Sequence, residues 1–192
     1  MFNNVNGEVH ITNYLIAKNL FFNYRGQNIF INGEFVNLPE WLAGHHVQLK
    51  VDADISFDRL IPETLTRKTQ TPADTAGRKQ AFLMPADLLF NINLKIDSLK
   101  YDKLPSSDIS VNLNYKQGTL KFNSLNMKLL NGIISGNGFI SQNRDKSFVA
   151  RGNFDLADIN IYKTFTTFRN FGQDFLKADN ITGNLRGSLS LL

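Results

Sequence analysis

Strict alternation of apolar and polar residues, recurring along most of this 192-residue chain, limits its fold more than any other feature. In Phe90–Asp97 the residues Phe90, Ile92, Leu94 and Ile96 alternate with Asn91, Asn93, Lys95 and Asp97. Ile109, Val111, Leu113 and Tyr115 repeat the pattern against Ser110, Asn112, Asn114 and Lys116. The odd positions from Val47 to Phe57 and from Ile181 to Leu191 do the same, the last run being interrupted by Gly183 and Gly187. Successive side chains of a strand point to opposite faces, so each run predicts a strand with one apolar and one wet face. Parallel α/β sheets, covered on both sides, read instead as continuous apolar runs, and that class is excluded.

Turn signals separate the runs: Arg25-Gly26-Gln27-Asn28, Lys116-Gln117-Gly118, Leu130-Asn131-Gly132 and Asn143-Arg144-Asp145-Lys146. Gly and Asn tolerate the positive φ that tight hairpins require. Short turns between strands predict an antiparallel meander. The alternation changes parity between Phe122 and Leu125, which predicts a bulge at Asn123-Ser124.

Two segments break the strand pattern. Asp58–Lys68 is expected to hold a short helix capped by Asp58, with Leu60 and Leu65 apolar and Pro62 near its start. Over Asn160–Lys177, Phe165, Phe168, Phe171 and Phe175 recur at three- and four-residue spacing, which predicts an amphipathic helix. Its phenylalanine stripe fits the core face of a helix lying on a sheet, or the lining of an apolar path. The polar stretch Thr66–Gln80, with Pro72 and Gly77, reads as a mobile loop.

The chain also resembles itself. Asn28–Val36 (NIFINGEFV) aligns with Gly132–Ile140 (GIISGNGFI), and Ala53–Phe57 (ADISF) with Ala157–Ile161 (ADINI). Both alignments share an offset of 104 residues, Phe35 to Phe139 and Ile55 to Ile159. The expected fold is therefore mainly β with minor α. Antiparallel meander sheets come from two similar repeat units, 1–80 and 81–192, each closed by a short helix, forming an elongated groove or clam-like structure. One-sided strands present an apolar face that must be covered, and two short helices cannot hide all of it. Either a second sheet closes over it or part remains as a groove.

The run Gly118-x-Leu120-x-Phe122-x-x-Leu125-x-Met127-x-Leu129-x-x-Gly132-x-Ile134-x-Gly136-x-Gly138 resembles the strand–turn–strand signature of AsmA-like C-terminal regions. Phe154–Ile161 with its following helix, and the closing Gly183-x-Leu185-x-Gly187-x-Leu189-x-Leu191, are also similar to that family. The resemblance covers residues 88–192 and, through the repeat, 20–65 more faintly. Leu130-Asn131-Gly132 stands where the family often has an aromatic and paired glycines. The resemblance implies a non-catalytic periplasmic module of a Gram-negative envelope protein, anchored to the inner membrane by a segment outside this chain. It further implies a part in outer-membrane biogenesis, with phospholipid or another lipid carried along an apolar groove. The alternative it allows is a structural or protein-interaction module that assists outer-membrane protein assembly. The groove candidates are Phe90, Ile92, Leu94, Ile109, Val111 and Leu113, joined by Phe165 and Phe168.

Composition and motifs narrow the remaining classes. With no cysteine there is no disulfide, thiolate metal site or cysteine nucleophile. A net charge of +4, spread without a basic stripe, argues against nucleic acid and suits a weak preference for anionic lipid head groups. Met1–Gly7 lacks the character of a secretion signal, and no apolar run is long enough to span a bilayer. The chain is accordingly expected to be a piece of a longer protein.

His45 and His46 are adjacent, so on a strand they would face opposite ways, and His10 is distant. Asp52, Asp54 and Asp58 lack the glycine and distal glutamate of a calcium loop. Gly136-x-Gly138 has no helix after it, and no nucleophile elbow, P-loop or zinc-protease motif occurs. No metal, cofactor or catalytic residue is expected. A sugar-binding β-module is a further possibility, but with one Trp and five Tyr its usual aromatic platforms are scarce.

Overall fold

A computed structural model describes residues 2–12, 14–65, 83–102 and 104–192. Ten strands form one open sheet whose spatial order follows the sequence. They are β1 (Phe2–Ile11), β2 (Tyr14–Tyr24), β3 (Gln27–Val36), β4 (Leu49–Leu60), β5 (Leu88–Tyr101), β6 (Leu104–Lys116), β7 (Thr119–Leu129), β8 (Gly132–Gln142), β9 (Phe148–Asn160) and β10 (Asn184–Leu191). The expected mainly-β, mostly antiparallel arrangement is present. It is a single sheet running unbroken from the first strand to the last, and β4 pairs with β5 in parallel. A parallel neighbour needs a long crossover. The segment between Leu60 and Leu88 has that length; a link nearly as long, residues 161–183, joins the antiparallel β9 and β10.

Three hairpins turn on two residues of positive φ: Arg25-Gly26 (51° and 78°), Gln117-Gly118 (49° and 72°) and Leu130-Asn131 (52° and 66°). This is the type I′ geometry, whose twist matches that of the flanking strands. The bulge expected at Asn123-Ser124 is there: Ser124 has φ 53°, and the β7–β8 register shifts between Phe122 and Leu125. Asn19 in β2 has φ 49°, with a register shift between Ala17 and Leu20. Asn4 in β1 and Asp108 in β6 form a second matched pair, at φ 53° and 50°. Asp108 follows Asn4 by 104 residues, while Ser124 follows Asn19, and Leu130 follows Arg25, by 105.

The Ala-Asp-Ile segments do not occupy equivalent places. Ala53 stands opposite Gly33, but Ala157 stands opposite Ile133. Asp54 lies in regular strand, whereas Asp158 is a bulge at φ 57° whose carboxylate meets Arg186 at 2.8 Å. The connections explain the slip: β3 reaches β4 through a helical link, and β8 reaches β9 through only Asn143–Ser147.

Both helix expectations are corrected. Asp58 and Leu60 belong to β4, and only Pro62–Leu65 (α2) is helical among the described residues of Asp58–Lys68. Asp58 does not cap α2; its carboxylate accepts from the backbone and side-chain nitrogens of Asn28, both at 2.8 Å, and so ties β4 to β3. The expected loop Thr66–Gln80 lies outside the described residues. A short helix not anticipated, α1 (Leu38–Leu42), begins with Pro39 in its first turn and links β3 to β4.

The second helix starts as expected, since Asn160 Oδ1 accepts from the Lys163 amide as an N-cap. It ends at Thr167 (α3, Ile161–Thr167). Arg169, Asn170 and Phe171 are all left-handed, so the chain folds back on itself before Gly172. The β-branched and aromatic content of this segment disfavours a longer helix, and Phe171 turns instead to meet Phe165 edge-on at 5.1 Å and Phe168 face-on at 5.5 Å.

Candidate functional site

The register sorts the side chains into two faces of opposite character. Val9, Ala17, Gly33, Ala53 and Ile92 stand opposite one another in turn, and the row continues through Leu113, Phe122, Gly138, Gly152 and Leu191. One apolar row thus crosses all ten strands. Nine strand spacings of about 4.8 Å give it a length of about 43 Å. A second row beside it joins Ile11, Leu15, Phe35, Val51, Phe90 and Tyr115, then Leu120 and Ile140.

Six of the eight groove candidates come together on this face, in two adjacent strands. Ile92 stands opposite Leu113 and Leu94 opposite Val111, while Phe90 and Ile109 pair with Tyr115 and Ile96. The Phe90 and Tyr115 rings stack at 5.3 Å. Phe165 and Phe168 are not part of this group. They lie beyond the end of β9, in the aromatic cluster with Phe171, where Phe168 and Phe171 are largely exposed and Phe175 is 87% exposed. The stripe is therefore not the buried face of a helix lying on the sheet.

Coverage of the apolar face is partial. Among the described residues only Ala17, Ile29, Leu49, Ala53, Ile96, Ile109, Tyr115 and Ile159 form the fully buried apolar core. Phe90, Ile92, Leu94, Val111 and Leu113 remain half-buried. Neither α1 nor α3 buries a residue, so these helices do not seal the sheet. A cavity of about 680 Å³ lies between α3 and the ends of β5–β8, lined by Leu129, Gly132, Tyr162, Lys163 and Thr166 among others. Lys163 donates to Asn131 Oδ1 there at 2.9 Å, and Lys128 pairs with Asp108 at 2.8 Å, which holds the Lys128 ammonium above its usual value.

Tyr115 lies within the second apolar row, between Phe90 and Leu120. Its hydroxyl donates to the Pro85 carbonyl at 2.6 Å. Burial pushes its phenol above the usual value, against a backbone hydrogen bond at Gly118, and the charge of Asp87 adds to the rise.

The opposite face carries a hydrogen-bonded amide ladder. Asn93 donates to Asp54 at 2.8 Å, and Asn112 donates to Asn93 at 2.8 Å and to Asn91 at 3.0 Å. Asn112 Oδ1 accepts in turn from Asn114 and Asn123. Asn19 donates its backbone N–H to Asn32 Oδ1, and Ser190 its hydroxyl to Asn153 Oδ1. The sequence held the signal, since Asn91, Asn93, Asn112 and Asn114 alternate with the apolar residues, but the ladder appears only when register aligns them.

Among the described residues no group of three potential metal ligands converges. His45 and His46 sit exposed in the link after α1 rather than on a strand. No helix of the described residues is long and apolar enough to cross a membrane. Comparison with known proteins adds no relative: no family model, curated protein or solved structure matches this chain.

Proposed function

We propose that this chain is a non-catalytic envelope module that binds lipid on its apolar face, with the half-buried Phe90, Ile92, Leu94, Val111 and Leu113 at the centre of the contact and the buried Ile109 in the core beside them. The apolar row across all ten strands carries the reading. At about 43 Å it exceeds an extended acyl chain, and its central side chains are half-buried rather than sealed. The recurrence of bulges and type I′ turns at offsets of 104 and 105 residues supports two similar units, β1–β3 and β6–β8, that extend one face between them. The AsmA-like resemblance supports the lipid class, the periplasmic location and the inner-membrane anchor. Phe165 and Phe168 belong to a separate aromatic cluster and take no direct part.

Photo-crosslinking tests the assignment without perturbing the fold strongly. A photoreactive residue at Ile92 or Leu113 is expected to capture lipid from cells, while the neighbouring Asn93 and Asn112, on the opposite face, capture none. Lipid-free protein and equal labelling from both faces would each sink the reading.

A second reading, a module that docks envelope assembly proteins, draws on β10. Every residue of that edge strand is exposed, and Leu185, Leu189 and Leu191 remain about half accessible. Such an edge is a ready template for another strand. Substituting Ser188 and Ser190 with lysine is expected to abolish pull-down of a strand-donating partner while leaving lipid capture intact.

A further inference from the structure

The polar face has a built feature that the lipid reading does not use. Asn6, Phe21, Phe30, Ser56, Lys95, Ser110 and Asn126 stand opposite one another in succession from β1 to β7. Two hollows follow this row. One of about 490 Å³ is lined by Asn6, Asn19, Phe21, Phe30 and Asn32. The other, about 630 Å³, takes up Phe30 and Asn32 again and continues over Asp54, Asn93, Ser110 and Asn126. They meet at Phe30. Six strand spacings make the whole trough about 29 Å long.

Phe30 is out of place by the ordinary rule. It lies on the wet face, 46% exposed, with its ring 4.8 Å from that of Phe21, while its neighbours Ile29 and Ile31 point into the apolar face. The exposed Phe30 ring, tilted 40° against the half-buried ring of Phe21, offers one aromatic face on the polar trough, flanked by hydrogen-bonding groups.

Those groups are oriented and only partly used. Asn32 Oδ1 accepts from the Asn19 backbone N–H, while Asn32 Nδ2 has no partner among the described residues. Asn126 Nδ2 reaches the Ser124 carbonyl at 3.3 Å, leaving Asn126 Oδ1 open. The hydroxyls of Ser56 and Ser110 and the ammonium of Lys95 line the same trough, with no partner among the described residues. Asn93 and Asn112 are held in place by the ladder, so their outward polar atoms are preorganised. The charged lining side chains are one carboxylate, Asp54, and one ammonium, Lys95, so the trough has no net sign. A ligand matching this surface is neutral, extended and rich in hydroxyls, with an apolar C–H face to lie on an aromatic ring. A polyanion finds no excess of cations, and an acyl chain finds too many amides.

We propose that the trough from Asn6 to Asn126 is a binding site for an extended neutral glycan, with Phe30 as the stacking platform and Asn32, Asn93 and Asn126 as hydrogen-bonding partners. The site lies on the face opposite the proposed lipid contact, and neither proposal depends on the other.

Saturation-transfer NMR on the whole chain with chitohexaose, maltohexaose and cellohexaose tests it. At least one of these probes is expected to bind. Phe30→Ala should weaken that binding at least tenfold and Asn126→Ala several-fold, while Phe30→Tyr, which keeps the ring, retains it. Ile92→Ser on the opposite face should leave binding unchanged. Should Phe30→Ala fail to fold, judged by its melting curve, Asn126→Ala and Phe30→Tyr carry the decision. No binding of any of the three probes overturns the proposal. So does wild-type affinity in the folded Phe30→Ala and Asn126→Ala variants, or loss of binding in Ile92→Ser instead.

Discussion

The Phe122 ring of β7 lies over Gly138 of β8, so that a Cβ on that glycine would come within 2.5 Å of the ring's Cζ. Gly136, two residues earlier, is covered in the same way by Phe154 of β9, at 2.7 Å, and the two rings stack at 5.9 Å. Gly136 and Gly138 thus leave space for aromatic rings. Gly138→Ala is therefore expected to destabilise the protein by about 1–3 kcal/mol, the usual range for overpacking. Phe122→Leu in that background should restore only part of the loss, because the Arg151 carbonyl also crowds the position. Urea unfolding of the two single variants and the double variant measures the coupling.

Asn112 is the hub of the amide ladder, donating to Asn91 and Asn93 and accepting from Asn114 and Asn123. Asn112→Ala should cost about 1–2 kcal/mol, as several partly buried partners lose a hydrogen bond together. Asn126→Ala, at the rim with one weak bond, should cost under about 0.5 kcal/mol. Equal losses in chemical denaturation would show that the ladder is not cooperative.

Gln117 occupies the first central position of a type I′ turn, at φ 49°, and is exposed. Asparagine tolerates the left-handed region far better than glutamine. Gln117→Asn should raise stability by about 0.5–1 kcal/mol and leave the apolar and polar faces untouched. A fall in the thermal midpoint would contradict the turn assignment.

Tyr115 predicts an alkaline transition. Its folded value lies above the ordinary 10.0, so the folded protein holds the phenolic proton more tightly than the unfolded chain. The associated stability is fully present below pH 10 and is lost as pH rises from there through the raised folded value. Tyr115→Phe removes the bond to Pro85, costing about 0.5–1.5 kcal/mol at neutral pH, but should flatten the decline above pH 10. Denaturant midpoints across the alkaline range, with phenolate absorbance as a second signal, measure both effects.

Period-two patterning was enough to predict the strands of β5, β6 and β10, their apolar faces, and the bulge at Ser124. It was blind to direction. Nothing in the alternation of Val51, Ala53 and Ile55 states that β5 will run parallel to β4, because side-chain periodicity is the same for either sense. The phenylalanine stripe failed for a different reason. Three- and four-residue spacing specifies a helix only where a surface waits to receive it, and past Thr167 the rings found one another instead. Phe30 was hidden because Ile29-Phe30-Ile31 is apolar at both parities, and only pairing with Phe21 and Ser56 assigns it to the wet side. The shared Ala-Asp-Ile motif misled because identical residues were set in different registers by connections of different length.

Because spatial order copies sequence order, each interior strand is hydrogen-bonded in the sheet only to its two neighbours in the chain, and the molecule behaves as a linear array of adjoining pairs. Such an array has no centre that must melt all at once. Opening begins where a strand has one neighbour, at β1 and β10, and travels inward one strand at a time. Amide exchange should therefore grade across the sheet, fastest at its two borders and slowest in β5 and β6, so that the outer strands can peel away and re-form while the middle stays closed.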